Sequence, residues 1–352
     1  MKYYRKIMFY VGSYSSNIYV MELDREKEKL CILNRIDHCN KPSYLCKNSR
    51  GNYLYANNEI SYGSGGVSSF DIKDKHTPKP INRISFNASG PCHISISEDQ
   101  QTLLSASYAE GKIYANPISQ DGSLNEFTSV IQHENVDLLR KDIVISSQSQ
   151  ARAHFILQVS GTKYVLVTDL GADRVYVYTI ERGNLIPHSF LRTVSGSGPR
   201  HLEIHPFGST IYLVNELNNT VNVLYFNKET GVLNSIQQLT TLPHYFKDTS
   251  YSSAIHISKS GRFLYTANRG FDSIAVFSVN ETDHRLTSTG HMPLPHKTPR
   301  DFAIDPSGKL LLVANMNSDS VTLCRISTAT GMPEVLNHTF GIEKPSSFVF
   351  LD

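Results

Sequence analysis

Tryptophan is absent from this chain of 352 residues, cysteine is scarce at five, and neither a long apolar run nor an excess of one charge occurs. Each absence removes something. Without tryptophan, no repeat that carries a Trp-Asp signature is possible. The cysteines (Cys31, Cys39, Cys46, Cys92 and Cys324) are odd in number and never in CxxC spacing, which suits buried thiols in a reducing compartment. No HExxH or EF-hand spacing occurs, so no metal site is expected. No apolar stretch approaches the ~20 residues of a membrane-spanning helix, and the one in MKYYRKIMFYVGSY is too short for a signal peptide. A net charge of +2 with no polybasic run argues against nucleic acid. There is no GxSxG elbow and no P-loop. The expectation is a soluble, cytoplasmic chain without membrane or nucleic-acid partner, as monomer or weak homo-oligomer.

What is present is a repeat. LEIHPFGSTIYLVNELNNTVNVLYF (202–226) matches IHISKSGRFLYTANRGFDSIAVFSV (255–279) and FAIDPSGKLLLVANMNSDSVTLCRI (302–326) in pattern. Further copies lie at 155–180, 94–118 and, with a Gly-rich insertion, 44–72. The period of about 50 residues is that of propeller blades, and the alternating Val, Ile and Tyr runs broken by Gly, Asn and Asp are strand-and-hairpin chemistry. A fourth strand per unit falls in linking segments such as LNSIQQLT and LTSTGHM. The N-terminal MFYVGSYSSNIYVMEL lacks a first strand that the C-terminal PSSFVFLD supplies, so the two ends together make the blade that closes the ring. The sequence predicts an all-β fold, a seven-bladed propeller of four-stranded blades forming one domain over 1–352. A single Gly-Gly pair, Gly65-Gly66, argues against kelch repeats.

Aligned copies separate scaffold from exceptions. The small polar residue ending the second strand (Asn58, Ser107, Thr168, Asn215, Asn268, Asn315) recurs and reads as structural. The next position differs in every copy: Glu59, Tyr108, Asp169, Glu216, Arg269 and Met316. The lead-in to the first strand also varies, as GPCH (90–93), ARAH (151–154), GPRH (198–201) and TPRD (298–301), with KPSY (41–44) and KPSS (344–347) as plainer versions. Innermost strands line the axis of a propeller, so both variable positions converge at one mouth of its channel. His154, Arg200, Glu216, Arg269 and Arg300 should meet there, from blades four to seven. Arginine forks bind carboxylate or phosphate, histidine is the usual acid or base near neutral pH, and Glu216 could orient the histidine or act as base itself. The competing reading is a solvated ion-pair network joining blade ends. His205 and His256 are expected inside strands as structural residues, His291 and His296 in a solvent-facing loop beside prolines, and GSGGVSS (63–69) as a hairpin insertion.

The stretches YVGSY, KPSYL, LYANNE, GPCHISIS, VTDLGADRVYVY, GPRHLEIHP, YLVNELNNTV, GRFLYTANRGFDSIAVF and PRDFAIDPSGKLLLVAN, spread in order over nearly the whole chain, resemble the bacterial lactonase propellers. These are the seven-bladed 6-phosphogluconolactonases, relatives of 3-carboxy-cis,cis-muconate lactonising enzymes. The resemblance implies cytosolic hydrolysis of 6-phospho-D-glucono-1,5-lactone in the oxidative pentose phosphate pathway, without a cofactor. It also implies His154, Arg200, Glu216 and Arg269 as the catalytic set. Arg300, His201, Arg152, Gln148 and His93 are the expected substrate-binding residues. One stretch departs from the family, SQSQARAH (147–154), in which Ser147 stands for an arginine and Arg152 for a histidine. A muconate-type cyclase or other lactonase is the alternative activity, and a non-catalytic binding propeller the alternative class.

Overall fold

The computed structural model describes residues 5–60, 63, 65–134 and 146–351. The first four residues, Ser64 of the Gly-rich insertion and Asp352 therefore lie outside the description, as do 61, 62 and 135–145. Seven antiparallel four-stranded sheets are arranged as blades. Blade 1 is the composite that the termini were expected to form. Strand Pro345–Leu351 is innermost in it and pairs with Lys6–Ser13 from Met8↔Leu351 to Ser13↔Pro345. In the other blades the inner strands are Leu45–Lys47, His93–Ile96, Ala153–Gln158, Pro199–Ile204, Tyr251–Ile257 and Pro299–Ile304, for blades 2 to 7 in order. LNSIQQLT is the outer strand of blade 5, and the LTSTGHM segment begins that of blade 6, Leu286–Pro293.

Why such strands stack into blades follows from their pattern. Alternate residues of the middle strands are apolar on both faces, so each sheet buries both sides against its neighbours. Seven apolar clusters result, one in each gap between blades. Between blades 4 and 5, for example, Phe155, Leu166 and Val175 meet Leu202, Leu213 and Leu224. The composite blade packs between blades 7 and 2, so no blade face is left without a neighbour.

One irregularity of the inner strands matters for function. Register shifts occur between Ala153 and Phe155, Pro199 and His201, Ser252 and Ile255, and Pro299 and Asp301. Each is a bulge that leaves one residue out of the ladder, or two (Ser253 and Ala254) in blade 6, a device that re-aims a side chain. The omitted residues include His154, Arg200, Ser253 and Arg300. The lead-in motifs are thus bulge motifs, with Pro199 and Pro299 opening the strands.

The histidines outside the axis need two corrections. His205 follows its strand, in the turn after Ile204, and stacks on His284 at 3.8 Å between ring centroids. His291 lies in the outer strand Leu286–Pro293, where its Nε2 meets the Thr241 carbonyl oxygen at 2.9 Å. Both outcomes reflect turns one or two residues away from where alternation alone puts them. His256 is in an inner strand and His296 in a loop, as expected.

Candidate active site

The lead-in to blade 5 is built to hold one side chain. Gly198 adopts φ +64°, and a Cβ there would come within 2.5 Å of Leu217, so only glycine makes this turn. Asp173 of blade 4 accepts the backbone N–H groups of Gly196 and Gly198 at 2.8 Å each. Pro199 then starts the strand, and the bulge turns Arg200 toward the axis. Arg200 is 1% exposed. Its Nε donates to Glu216 Oε2 at 2.9 Å and its Nη1 to the Ser253 carbonyl. Its Nη2 has no protein partner among the described residues.

Glu216 is clamped. The same Oε2 lies 2.9 Å from Arg269 Nη2, so one carboxylate oxygen bridges two guanidiniums. Burial alone would raise the Glu216 pKa, yet the charges of Arg269, Arg200 and Arg300 hold it below its ordinary value. Arg269 also donates to the carbonyls of Tyr251 and Ser252, at 3.3 Å each. Arg300, on the inner strand of blade 7, donates from Nη2 to the Tyr14 hydroxyl at 2.7 Å.

His154 lines the space between these arms, together with Tyr14, Ser43, Arg200 and Arg300. The fully enclosed part of that space is about 10 Å³, room for roughly one water molecule. His154 is buried, and its Nδ1 has no hydrogen-bond partner. Burial first, then Arg200 and Arg300, push its pKa well below 6.5, so the imidazole is neutral at pH 7. An uncharged base therefore sits among cations.

Two expected binding residues lie one layer deeper. His93 and His201, with Tyr44 and Phe155, form a packed aromatic plug across the channel; Tyr44–His93 centroids are 4.2 Å apart and His93–Phe155 3.9 Å. His201 still touches the cavity, 5.1 Å from His154 by ring centroids. His93 faces the Ile156 N–H with Nδ1 and serves the plug. Below the plug, His256 bridges Glu203 and Asp301 at 3.1 Å each.

Arg152 lies over the Tyr108 ring at 4.9 Å, at the edge of the mouth. Gln148 is behind the site: its Nε2 donates to the Leu170 carbonyl at 2.8 Å and Asp173 at 2.9 Å, bracing the carboxylate that holds the GSGP turn. Asp169 departs from the expected channel-facing set. It is buried against His133 Nδ1 at 2.6 Å and accepts the Arg152 and Ala172 N–H groups, which draws its side chain into the blade. Tyr14, Ser43, Ser253 and Ser346 were missed. Their small or ordinary side chains in KPSY, KPSS and YSSA carry no charge signal; only the shared lead-in register could have flagged the three serines.

Among the described residues, no helix is long and apolar enough to cross a membrane. The family model described as Lactonase, 7-bladed beta-propeller matches residues 8–350. The chain is 33% identical over 352 residues to the 6-phosphogluconolactonase of Bacillus subtilis, covering 98% of this chain and 99% of that protein. It superposes on the periplasmic gluconolactonase of Pseudomonas aeruginosa with a TM-score of 0.91 at 28% identity, covering 99% of each chain. A Lactobacillus plantarum protein superposes with the same TM-score of 0.91 at 27% identity, over 99% of this chain and 100% of that one. The chain belongs to the lactonase family of seven-bladed β-propellers, and with it to the enzymes that open lactone esters by hydrolysis.

Proposed function

We propose that this lactonase acts on an anionic sugar lactone, 6-phospho-D-glucono-1,5-lactone first, in the cytoplasm, at the mouth formed by His154, Arg200, Glu216, Arg269 and Arg300. The observation that carries the reading is a neutral His154, with an unpartnered ring nitrogen, beside guanidiniums that keep unused donors. Four arginines (Arg152, Arg200, Arg269, Arg300) outnumber three carboxylates (Glu59, Glu216 and Asp301, the last paired with His256), an excess of positive charge that suits a phosphorylated substrate. The relative named as a 6-phosphogluconolactonase supports the same choice.

The chemistry needs a base, an oxyanion site and a proton for the leaving group. Glu216 is a poor base, because protonating it would break the clamp between Arg200 and Arg269. His154 takes a proton from water as the water oxygen attacks the lactone carbonyl carbon. The carbonyl π electrons move onto oxygen, where Arg200 and its neighbours stabilise the oxyanion. The intermediate collapses by breaking the bond from carbonyl carbon to ring oxygen, and the imidazolium returns its proton to that oxygen. The free acid then ionises to solvent. The substrate's own negative charge offsets the arginine charges that depress His154, so the base strengthens when the substrate is bound.

The test is hydrolysis by the purified chain, measured above the spontaneous rate, of the 6-phosphorylated lactone, of glucono-1,5-lactone and of a carboxymuconolactone. The phosphorylated lactone should open fastest, and Arg200→Ala should lower its kcat/KM by about 10²-fold or more. Wild-type turnover by Arg200→Ala, or hydrolysis no faster than in buffer, overturns the reading.

A further inference from the structure

The cavity has two unlike walls. On the side of blades 5 and 7, Arg200 and Arg300 present guanidinium donors. On the side of blades 1 and 2, the lining is hydroxylic, from Tyr14, Ser43 and Ser346. The direction of each serine proton can be worked out from its partners. Ser346 Oγ donates to the Ser43 carbonyl at 2.8 Å. Ser43 Oγ accepts from Asn57 Nδ2 at 2.8 Å, so its proton goes to the Glu59 carboxylate, to which it is hydrogen-bonded. Tyr14 Oη accepts from Arg300 Nη2 at 2.7 Å. Both serine protons are therefore turned away from the cavity. What the two serine oxygens have left to offer is lone pairs.

We infer that Ser43 and Ser346 make this wall a hydrogen-bond-accepting surface that recognises the hydroxyl donors of a polyhydroxylated lactone, and that Glu59 is the positioning residue that fixes the Ser43 proton. The inference rests on the lactonase reading above and adds an orientation to it. Sugar hydroxyls face blades 1 and 2, while carbonyl and phosphate face the arginines. It also adds a rejection, since a carboxylate brought against the serine lone pairs beside Glu59 meets acceptors and a like charge. Glu59 does not line the cavity and reaches it through Ser43, which is why it positions rather than binds.

The experiment uses the whole chain and 6-phosphogluconolactam, a ring isostere that water does not open, with single replacements of each of the C2, C3 and C4 hydroxyls by hydrogen or by fluorine. Fluorine keeps acceptor character and loses the donor. Dissociation constants are measured by calorimetry. At one position or more, both the deoxy and the fluoro compound should bind about 10-fold or more weaker than the parent. In Glu59→Gln, and in Ser43→Ala if that variant fails to fold, the parent-to-fluoro ratio should shrink toward one. Fluoro compounds that bind as tightly as the parent at all three positions overturn the inference, as does an unchanged ratio in a folded variant. Lactam binding by a chain that opens no lactone would instead defeat the activity assignment, so the two failures are distinguishable.

Discussion

His154 and His256 are both carried by inner strands of adjacent-but-one blades, both face the axis, and they are in opposite charge states. Around His154 stand Arg200, Arg300 and Arg269, and its pKa is driven well below 6.5. Around His256 stand Glu203 and Asp301, and its pKa is lifted to about 10 despite the cost of burial. The aromatic plug of Tyr44, His93, Phe155 and His201 lies between them. The residue type is the same; the sign of its neighbours decides whether it is a base waiting for a proton or a cation holding three blades together.

The comparison can be broken first by activity. His154→Gln keeps the size of the side chain and removes the base, and should lower kcat by about 10²- to 10⁴-fold; His256→Gln should leave kcat within a small factor. Initial rates above the spontaneous background decide this, and equal losses in the two variants would erase the distinction.

Acid stability is the next lever. His93, His154 and His201 all have depressed pKa values from burial and the Arg200 charge. On unfolding each recovers a pKa near 6.5, so below that pH the unfolded chain binds more protons and stability is lost as pH falls. Each histidine contributes up to about 1.4 kcal/mol per pH unit to that slope. Urea midpoints from pH 7.5 down to 5 should fall steeply, and His93→Phe, a plug residue outside the reaction, should flatten the decline.

The smallest effect lies at the alkaline end. His256 has a raised folded pKa, so its contribution is complete below about 6.5 and disappears as pH rises through about 10. Its side chain is 32% exposed, which screens the pair. Thermal midpoints between pH 7 and 10 should decline modestly in the wild type and less in His256→Gln.

Why one histidine and not the other was legible in advance follows from the repeat. Blade copies align well enough to show the seven sheets, the composite blade and the positions that face the axis, because apolar alternation and turn residues are repeated six times. Charged exceptions to that pattern, Arg200, Glu216, Arg269 and Arg300, stood out for the same reason. Lone-pair geometry did not. KPSY and KPSS look like bare scaffold, although Ser43 and Ser346 line the cavity, and their role depends on partners such as Asn57 and Glu59 that no spacing pairs with them. Gln148 and Asp169 illustrate the opposite error. They are polar and close in sequence to His154, but Asp173 and His133 take their side chains into the blade wall.

The closing blade has a consequence for when the site comes into existence. Tyr14 follows the first strand of the chain, and Ser346 begins the last one. These two residues are more than 300 positions apart, so a ribosome releases the second long after the first. The hydroxyl wall cannot assemble until the final strand zips onto the first, so a growing or truncated chain holds its arginines without the surface opposite them. The seam that seals the ring is also the step that completes the cavity.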